Sequence, residues 1–563
     1  MENFIPLGAG NARTLWDVGT TLYTAAGTTI VYDFSFNLGV ITPGVPPIFY
    51  KALFMADGSA VAVRMDTGAV TVMGVAGTFD VTPTLPHCAQ WGSSGILIIT
   101  SGGYYAWDTT GLWIPGAFAP PWLWGGTTAV ALSTTGDTHT STLLDNLGSV
   151  TGVVAGMTIK GTGSDIQANT LVVSFTSGPN TITMSKPAVG THVGVSFDIG
   201  WVMPSGVVGT AIETYGSRVW ITNGDEFSFS APGNGADFST AHGGGTTASS
   251  DSFLRVSYMS LKQSNGFLYL FGDSSINVIS NVQTSGSPAT TTMNNQNVDP
   301  QTGLGWRDAL VPFGRALCFA NPTGVYALFG GAAEKISDKI DKLFENADFD
   351  AVPPTMFVVS IYSVRCLALI LNTLDPVEDV QRTLIALWNG KHWFIASQSL
   401  VSIFGTTVSS DSNIAGWAND GTRVYQLFAT PSATLKKKIQ SKLWAGRSNL
   451  IFKLVQDAYA EVQDLSSPAA SVVLSGTMDS DIVAPQTFTL QSNLNWLNAA
   501  YNPLVFINAS GLPLQFITSP EGPQGAGASQ AGLRLGITFT SLSPDFTMIG
   551  CGMTYNESSF YGH

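Results

Sequence analysis

Four stretches, Arg218-Val219-Trp220-Ile221, Gly266-Phe267-Leu268-Tyr269, Arg315-Ala316-Leu317-Cys318 and Arg365-Cys366-Leu367-Ala368, open comparable apolar runs. With Val219, Leu268, Leu317 and Leu367 as markers, the spacings are 49, 49 and 50 residues. Each run of β-branched, aromatic and aliphatic residues suits a pleated, packed surface. Each is followed by a turn, such as Asn223-Gly224-Asp225, Gly272-Asp273 or Asn321-Pro322-Thr323-Gly324, and then by a second apolar run such as Phe227-Ser228-Phe229 or Val325–Leu328. Similar pairs lie upstream at Leu22-Tyr23 to Tyr32, Leu53-Phe54 to Met73 and Ile96 to Trp107. A repeat near 50 residues with about four short strands per unit predicts the blades of a β-propeller, because each unit buries its faces only against its neighbours. The spacing leaves six to eight blades open.

Outward from that repeat, the gap from Ile96 to Val219 is 123 residues, so the period is interrupted by an insertion of roughly 75. The excess, rich in Thr, Ser, Gly and Val, reads as a small antiparallel β domain over 127–200. The organisation expected is an all-β chain: propeller over 1–126 and 201–430, the inserted domain at 127–200, and a C-terminal β-sheet domain over 431–563, with few short helices. The clearest helix is expected over 332–346, where Ile336, Ile340, Leu343 and Phe344 share one face.

Composition narrows the function classes. Of 563 residues only 11% are charged while 44% are hydrophobic, with 61 Gly and 28 Pro, which excludes coiled coil and acidic disorder. The apolar stretch 356–374 is broken by Ser360, Ser363 and Arg365, so no membrane span is expected. A formal charge of −14 disfavours sequence-independent grip on phosphates. The start, Met1–Pro6, lacks a secretory pattern, so synthesis in a cytoplasm is expected. Cys88, Cys318, Cys366 and Cys551 are far apart and read as small buried hydrophobes.

No phosphate loop, dinucleotide fingerprint, nucleophile elbow or zinc-protease helix occurs, and the six histidines, His87 among them, stand singly. No cofactor or metal is implied, and no enzymatic activity is expected. Paired carboxylates for sugar hydrolysis must sit about 5–9.5 Å apart. The candidates are Asp225 with Glu226, Asp375 with Glu378 and Asp379, and Asp348 with Asp350, all in turn-like contexts where acids bond backbone amides. Lys436, Lys437, Lys438, Lys442, Arg447 and Lys453 form a local basic patch, read as a solvated face or a subunit contact.

The stretch Tyr215-Gly-Ser-Arg218-Val-Trp-Ile-Thr222, continued by Phe229-Ser-Ala-Pro-Gly233-Asn-Gly-Ala-Asp-Phe238, resembles the tail nozzle, or packaged-DNA stabilisation, proteins of short-tailed bacteriophages. The likeness runs on through Leu268–Ile276, Gly305-Trp306, Gly324-Val-Tyr326 and Lys335–Ile340, and returns at 532–555. It implies a structural virion protein of the tail, made in the bacterial host cytoplasm. It implies a homohexameric ring below the portal and adaptor, in contact with other tail proteins. Its propellers would surround or flank a channel for double-stranded DNA, which passes without specific binding. An acidic wall suits such a conduit because it does not trap phosphates, and Asp338, Asp341, Asp348 and Asp350 are the candidate wall. Lys436, Lys437, Lys438 and Lys442 are the candidate subunit-interface patch. The alternatives are a host-surface propeller that binds or cleaves polysaccharide, and a propeller scaffold unconnected with phage.

Overall fold

The computed structural model describes residues 21–39, 47–124, 132–163, 165–248, 257–361, 364–375, 380–396 and 416–428 with their side chains. Elsewhere it describes strands by their pairing alone. The architecture is all-β, a seven-bladed β-propeller. Blade 1 comprises Ile30–Leu38, Ile48–Met55, Ala60–Arg64 and Val70–Gly74; blade 2 His87–Trp91, Gly95–Ile99, Tyr104–Asp108 and Gly111–Trp113. Blade 3 comprises Ala211–Tyr215, Arg218–Asn223, Glu226–Phe229 and Gly245–Ala248; blade 4 Tyr258–Ser264, Phe267–Gly272, Ile276–Ser285 and Thr290–Asp299. Blade 5 comprises Leu310–Phe313, Ala316–Asn321, Gly324–Leu328 and Ala333–Lys335; blade 6 Thr355–Ile361, Val364–Leu374, Gln381–Trp388 and Trp393–Ser397.

Blade 7 is built from both ends of the repeat region. Phe404–Val408, Ile414–Asn419 and Arg423–Gln426 are completed by Thr21–Thr24, with Tyr23 opposite Val424. Leu22-Tyr23 therefore closes the ring and does not open the first blade with Tyr32. Backbone bonds at the same seam, Ala25 N to Thr422 O at 2.7 Å and Ile30 N to Gly421 O at 2.6 Å, tie blade 7 to blade 1.

The period of the sequence is the period of the second strand. Val219, Leu268, Leu317 and Leu367 occupy the second strands of blades 3 to 6 and are at most 1% exposed. Such strands are apolar on both faces because both are covered. In Ala316–Asn321, Ala316, Cys318 and Ala320 pack toward blade 6, while Leu317 and Phe319 pack toward blade 4. In Val364–Leu374, Leu367, Leu369 and Leu371 face blade 5, while Cys366, Ala368 and Ile370 face blade 7. The two-residue alternation of a strand thus serves two different cores. The propeller interior is a ring of wedges between neighbouring blades. Cys88, Cys318 and Cys366 are free and buried in these wedges, and burial pushes the Cys318 thiol up to about 12.

Between blades 2 and 3 the chain makes a closed six-stranded barrel whose strands fall between Ala131 and Gly200, in the order Ala131–Thr138, Leu143–Asp145, Thr181–Met184, Thr170–Thr176, Thr158–Gly161, His192–Gly200. Phe197, Ile199, Ile182 and Leu144 fill it. Its entry and exit are stapled, with Ala119 N bonded to Trp201 O at 2.9 Å and Gly116 N to Met203 O at 3.0 Å. Lys160 Nζ bonds Gly116 O at 2.7 Å and lies 4.4 Å from the centre of the Phe118 ring. At Gly156, with φ of +93°, the backbone passes so close to the His242 imidazole that a Cβ would collide with it. These contacts fix the barrel on the propeller flank.

Blade 6 does not end at its fourth strand. Trp393–Ser397 pairs in parallel with Asn11–Asp17, which pairs in turn with Lys437–Gln440, and the ten-stranded sheet continues through Leu535–Ser541, Ala470–Met478 and Asp481–Leu490. Asn3–Pro6 joins a second sheet through Phe546–Glu557. Asn3–Pro6 and Asn11–Asp17 thus pair with C-terminal strands, and Asn11–Asp17 also with the outer strand of blade 6.

The helix expected over 332–346 is a correction. Ala333–Lys335 is the outer strand of blade 5, Lys335 opposite Tyr326; Asp338–Ile340 is a 3-10 turn and only Asp341–Glu345 is α-helix. Ile340, Leu343 and Phe344 are buried against blades 5 and 6, as an apolar face demands. The blade edge has claimed the residues that the periodicity assigned to the first helical turn.

Candidate functional site at the propeller axis

The first strand of each blade packs against the first strand of the next, and between blades 1 and 2 the Gln90 amide bonds Asn37 O at 2.8 Å. At the centre of this circle stands Arg307, on the segment entering blade 5. Its Nη1 donates to Leu85 O at 2.7 Å and Thr210 O at 3.1 Å, its Nη2 to Pro86 O at 3.1 Å, and the guanidinium pairs with Asp308 at 3.3 Å. Its Cζ lies 5.4 Å from the centre of the Tyr32 ring in blade 1. A side chain of blade 5 that touches blades 1, 2 and 3 must cross the axis. Burial opposes its charge, but Asp308 beside it, with Tyr32 and Cys88, holds the guanidinium above its ordinary value.

Around Arg307 lies a cavity of ≈ 200 Å³. His87 lines it, with Ile212 N donating to Nδ1 at 3.1 Å, so the neutral ring carries its proton on Nε2. Burial, then the charges of Arg307 and Lys262, press the His87 pKa well below that of a free imidazole. Lys262, also lining, pairs with Glu213 at 2.8 Å. Asp33 lines the first-blade side and is neutralised from behind by Lys51 at 3.2 Å, both sealed from solvent. The hydroxyls of Ser260 and Thr355 complete the polar lining, against Leu310, Met356 and Phe357. Thr355 Oγ1 is buried without a hydrogen-bond partner. A buried hydroxyl left so costs on the order of 1–3 kcal/mol.

The residues named from sequence lie elsewhere. Asp338, Asp341, Asp348 and Asp350 sit on the connection from blade 5 to blade 6, and none lines the axial cavity. Lys335 Nζ lies 2.9 Å from Asp341 and 4.0 Å from Asp338, so it draws those two together. Asp348 accepts the Ala351 amide at 3.1 Å, and Asp350 is exposed. Asp225 and Glu226 form the turn into the third strand of blade 3; Asp375 is buried beside Arg382 at 3.3 Å, and Glu378 and Asp379 lie outside the described residues. Lys436, Lys442, Arg447 and the side chains of Lys437, Lys438 and Lys453 also lie outside them. Sequence reading passed over Arg307 and treated His87 as one of six scattered histidines. The usable signal was Arg307-Asp308, a charge pair just before an inner strand in a chain that is only 11% charged.

The fold and site define a seven-bladed propeller with a plugged axis and an inserted barrel. No family model matches the sequence, and no curated protein matches it. Among solved structures it is similar to PorZ of Porphyromonas gingivalis, described as an essential bacterial surface component of the type-IX secretion system, at 13% identity and a TM-score of 0.19. The match covers 70% of this chain and 57% of that one, a likeness that carries no functional argument.

Proposed function

We propose that this chain is a structural subunit of a phage-type tail nozzle. Six copies form a ring below the portal and adaptor, which retains packaged DNA and conducts it at ejection. The resemblance in the blade 3 to blade 5 sequence supports the reading. The axis of the propeller restricts where its channel can lie. Arg307 spans the centre and leaves ≈ 200 Å³, so among the described residues the propeller has no bore of its own for a duplex. The DNA path of the proposal therefore lies at the ring's symmetry axis, with each propeller flanking it. The sheet that continues from blade 6 into the C-terminal strands supports the same role, because a hydrogen-bonded ladder couples propeller and C-terminal region stiffly. A net charge of −14 suits a wall past which DNA must slide.

The test is the native mass of the full chain at near-physiological salt, with negative-stain images. A six-fold ring, or a monomer that becomes one on a portal–adaptor complex, is the expected result. A stable trimer that cleaves capsule or lipopolysaccharide sugar overturns the proposal in favour of a host-surface role.

A further inference from the structure

We infer that Asn223 is a site of spontaneous covalent modification: of the four Asn-Gly pairs in the sequence, it is the one the fold leaves open to conversion into aspartate and isoaspartate. The inference is independent of the assembly role. In such a pair the Gly amide nitrogen attacks Cγ of the Asn side chain. The N–Cγ bond forms, the nitrogen's proton passes through water to the departing amide, and ammonia leaves a cyclic imide behind. Water then opens the imide. Breaking the bond from nitrogen to Cγ gives aspartate, and breaking the bond from nitrogen to the main-chain carbonyl gives isoaspartate, whose chain runs on through Cγ. Gly favours the closure because no Cβ shields its nitrogen.

The four pairs are Asn223-Gly224, Asn234-Gly235, Asn265-Gly266 and Asn389-Gly390, and three of them are held. Asn234 is 7% exposed, its Oδ1 accepts the Ala236 amide at 2.9 Å, and the Gly235 nitrogen that would attack donates to Leu123 O at 3.1 Å. Asn265 Nδ2, the leaving group, donates to Arg315 O at 2.8 Å, and its backbone sits in a turn with φ of 51°. Asn389 Oδ1 accepts the amides of Lys391 at 3.0 Å and His392 at 2.8 Å, which pin the carbonyl that must turn during attack. Asn223 lacks all of these restraints. It is exposed, ends the second strand of blade 3 opposite Glu226, and leads into the two-residue turn Gly224-Asp225. Among the described residues neither its side-chain amide nor the Gly224 N–H has a hydrogen-bond partner; the Gly224 carbonyl alone is engaged, by the Tyr258 amide at 2.8 Å. Nucleophile, electrophile and leaving group are therefore free together at the end of a hairpin. Either product puts a carboxylate opposite Glu226 and close to Asp225, a like-charge pairing that weakens strand association. Isoaspartate also lengthens the main chain by one carbon at a turn whose length sets the register of the second and third strands.

The experiment is peptide mapping by mass spectrometry of the full chain aged at physiological temperature and mildly alkaline pH, with isoaspartyl methyltransferase labelling of the same samples. Conversion at Asn223 should run about tenfold faster than at Asn234, Asn265 or Asn389, the ratio that one hydrogen bond of ~1.4 kcal/mol makes in a rate. In guanidinium, where the turns and their hydrogen bonds are gone, the four rates should converge. Asn223→Gln, whose longer side chain closes a larger ring slowly, should remove most of the methyltransferase label from the folded chain. Where thermal unfolding shows that this variant does not fold, Asn223→Ser, which cannot close, replaces it. Equal rates at the four pairs in the folded chain, an intact Asn223 beside converted Asn265 or Asn389, no conversion of Asn223 in the time the unfolded chain converts, or undiminished label in the folded variant each overturns the inference.

Discussion

Asn419 Nδ2 donates to Asp33 Oδ2 at 3.0 Å, joining the second strand of blade 7 to the first strand of blade 1 across 386 positions of sequence. The Asp33 carboxylate also faces Lys51, whose ammonium bonds Ser35 Oγ at 3.1 Å, and none of this ion pair reaches solvent. Burial raises the Asp33 pKa and lowers that of Lys51, while each partner pulls the other back toward its charged form. The seam of the ring is thus fastened by backbone pairing at its rim and by a buried polar latch inside.

The latch is useful only when complete. Asp33→Ala should cost about 3–5 kcal/mol, because it leaves Lys51 charged and buried without its counter-ion. Asp33→Asn with Lys51→Met should recover most of that loss, since no bare charge remains. Denaturant unfolding of the three proteins, read by tryptophan fluorescence, checks the order. A double variant no better than the single one would mean that the ion pair is not the unit that matters.

Arg307 has a different vulnerability, since its partners are mostly carbonyls. Arg307→Met should destabilise by roughly 3 kcal/mol or more, as Asp308 loses its cation and the carbonyls of Leu85, Pro86 and Thr210 lose their donor. Arg307→Lys should restore the charge but not the fork that reaches two blades at once. Hydrogen exchange at the amides of Leu85, His87, Cys88 and 210–212 should accelerate in both variants, more in the methionine one. Exchange confined to blade 5 would show that Arg307 does not bind the blades together.

What was legible in sequence follows from which residues carry the information locally. The blade period was readable because second strands are covered on both faces, so Val219, Leu268, Leu317 and Leu367 recur inside continuous apolar runs. The ring closure was not. Thr21–Thr24 is four residues long and its partner begins near 423, so Leu22-Tyr23 was read with its neighbour Tyr32. The helix over 332–346 was over-read because Glu334 and Lys335 serve equally well on an exposed blade edge or an exposed helical turn. The plug at the axis was hidden because the acceptors for Arg307 are main-chain oxygens 97 to 222 positions away, and a carbonyl has no sequence signature.

His87 gives a pH dependence with a definite sign. Its pKa is depressed in the folded protein, first by burial and then by Arg307 and Lys262. Between that depressed value and the unfolded value of about 6.5 the unfolded chain binds a proton that the folded chain refuses, so stability rises with pH in this window. The contribution is fully present above about pH 6.5 and falls by up to ~1.4 kcal/mol per pH unit on acidification, until the folded ring titrates. His87→Gln should flatten that part of the stability profile and leave the slope due to carboxylates. Denaturant midpoints between pH 5 and 8 for both proteins provide the check; parallel profiles would remove His87 as their cause.

The acidic connection between blades 5 and 6 offers a prediction tied to the proposed conduit. Converting Asp338, Asp341, Asp348 and Asp350 to Asn removes four negative charges but only surface interactions: the Lys335 pairs and the Asp348 turn. Exposed pairs are worth about 0–1 kcal/mol each, so folding and ring assembly should survive. Lys335, now held above its ordinary pKa first by its hydrogen bond to Asp341, should fall back toward it. If these carboxylates face the DNA path, their loss exposes Lys335, Lys339 and Lys342 to passing phosphates and turns a repelling wall into one that holds. DNA release from particles carrying the variant, followed by dye fluorescence, should then be slower than from wild-type particles, and the delay should shrink at high salt. Unchanged release from fully assembled particles would place the DNA path against another surface of the subunit.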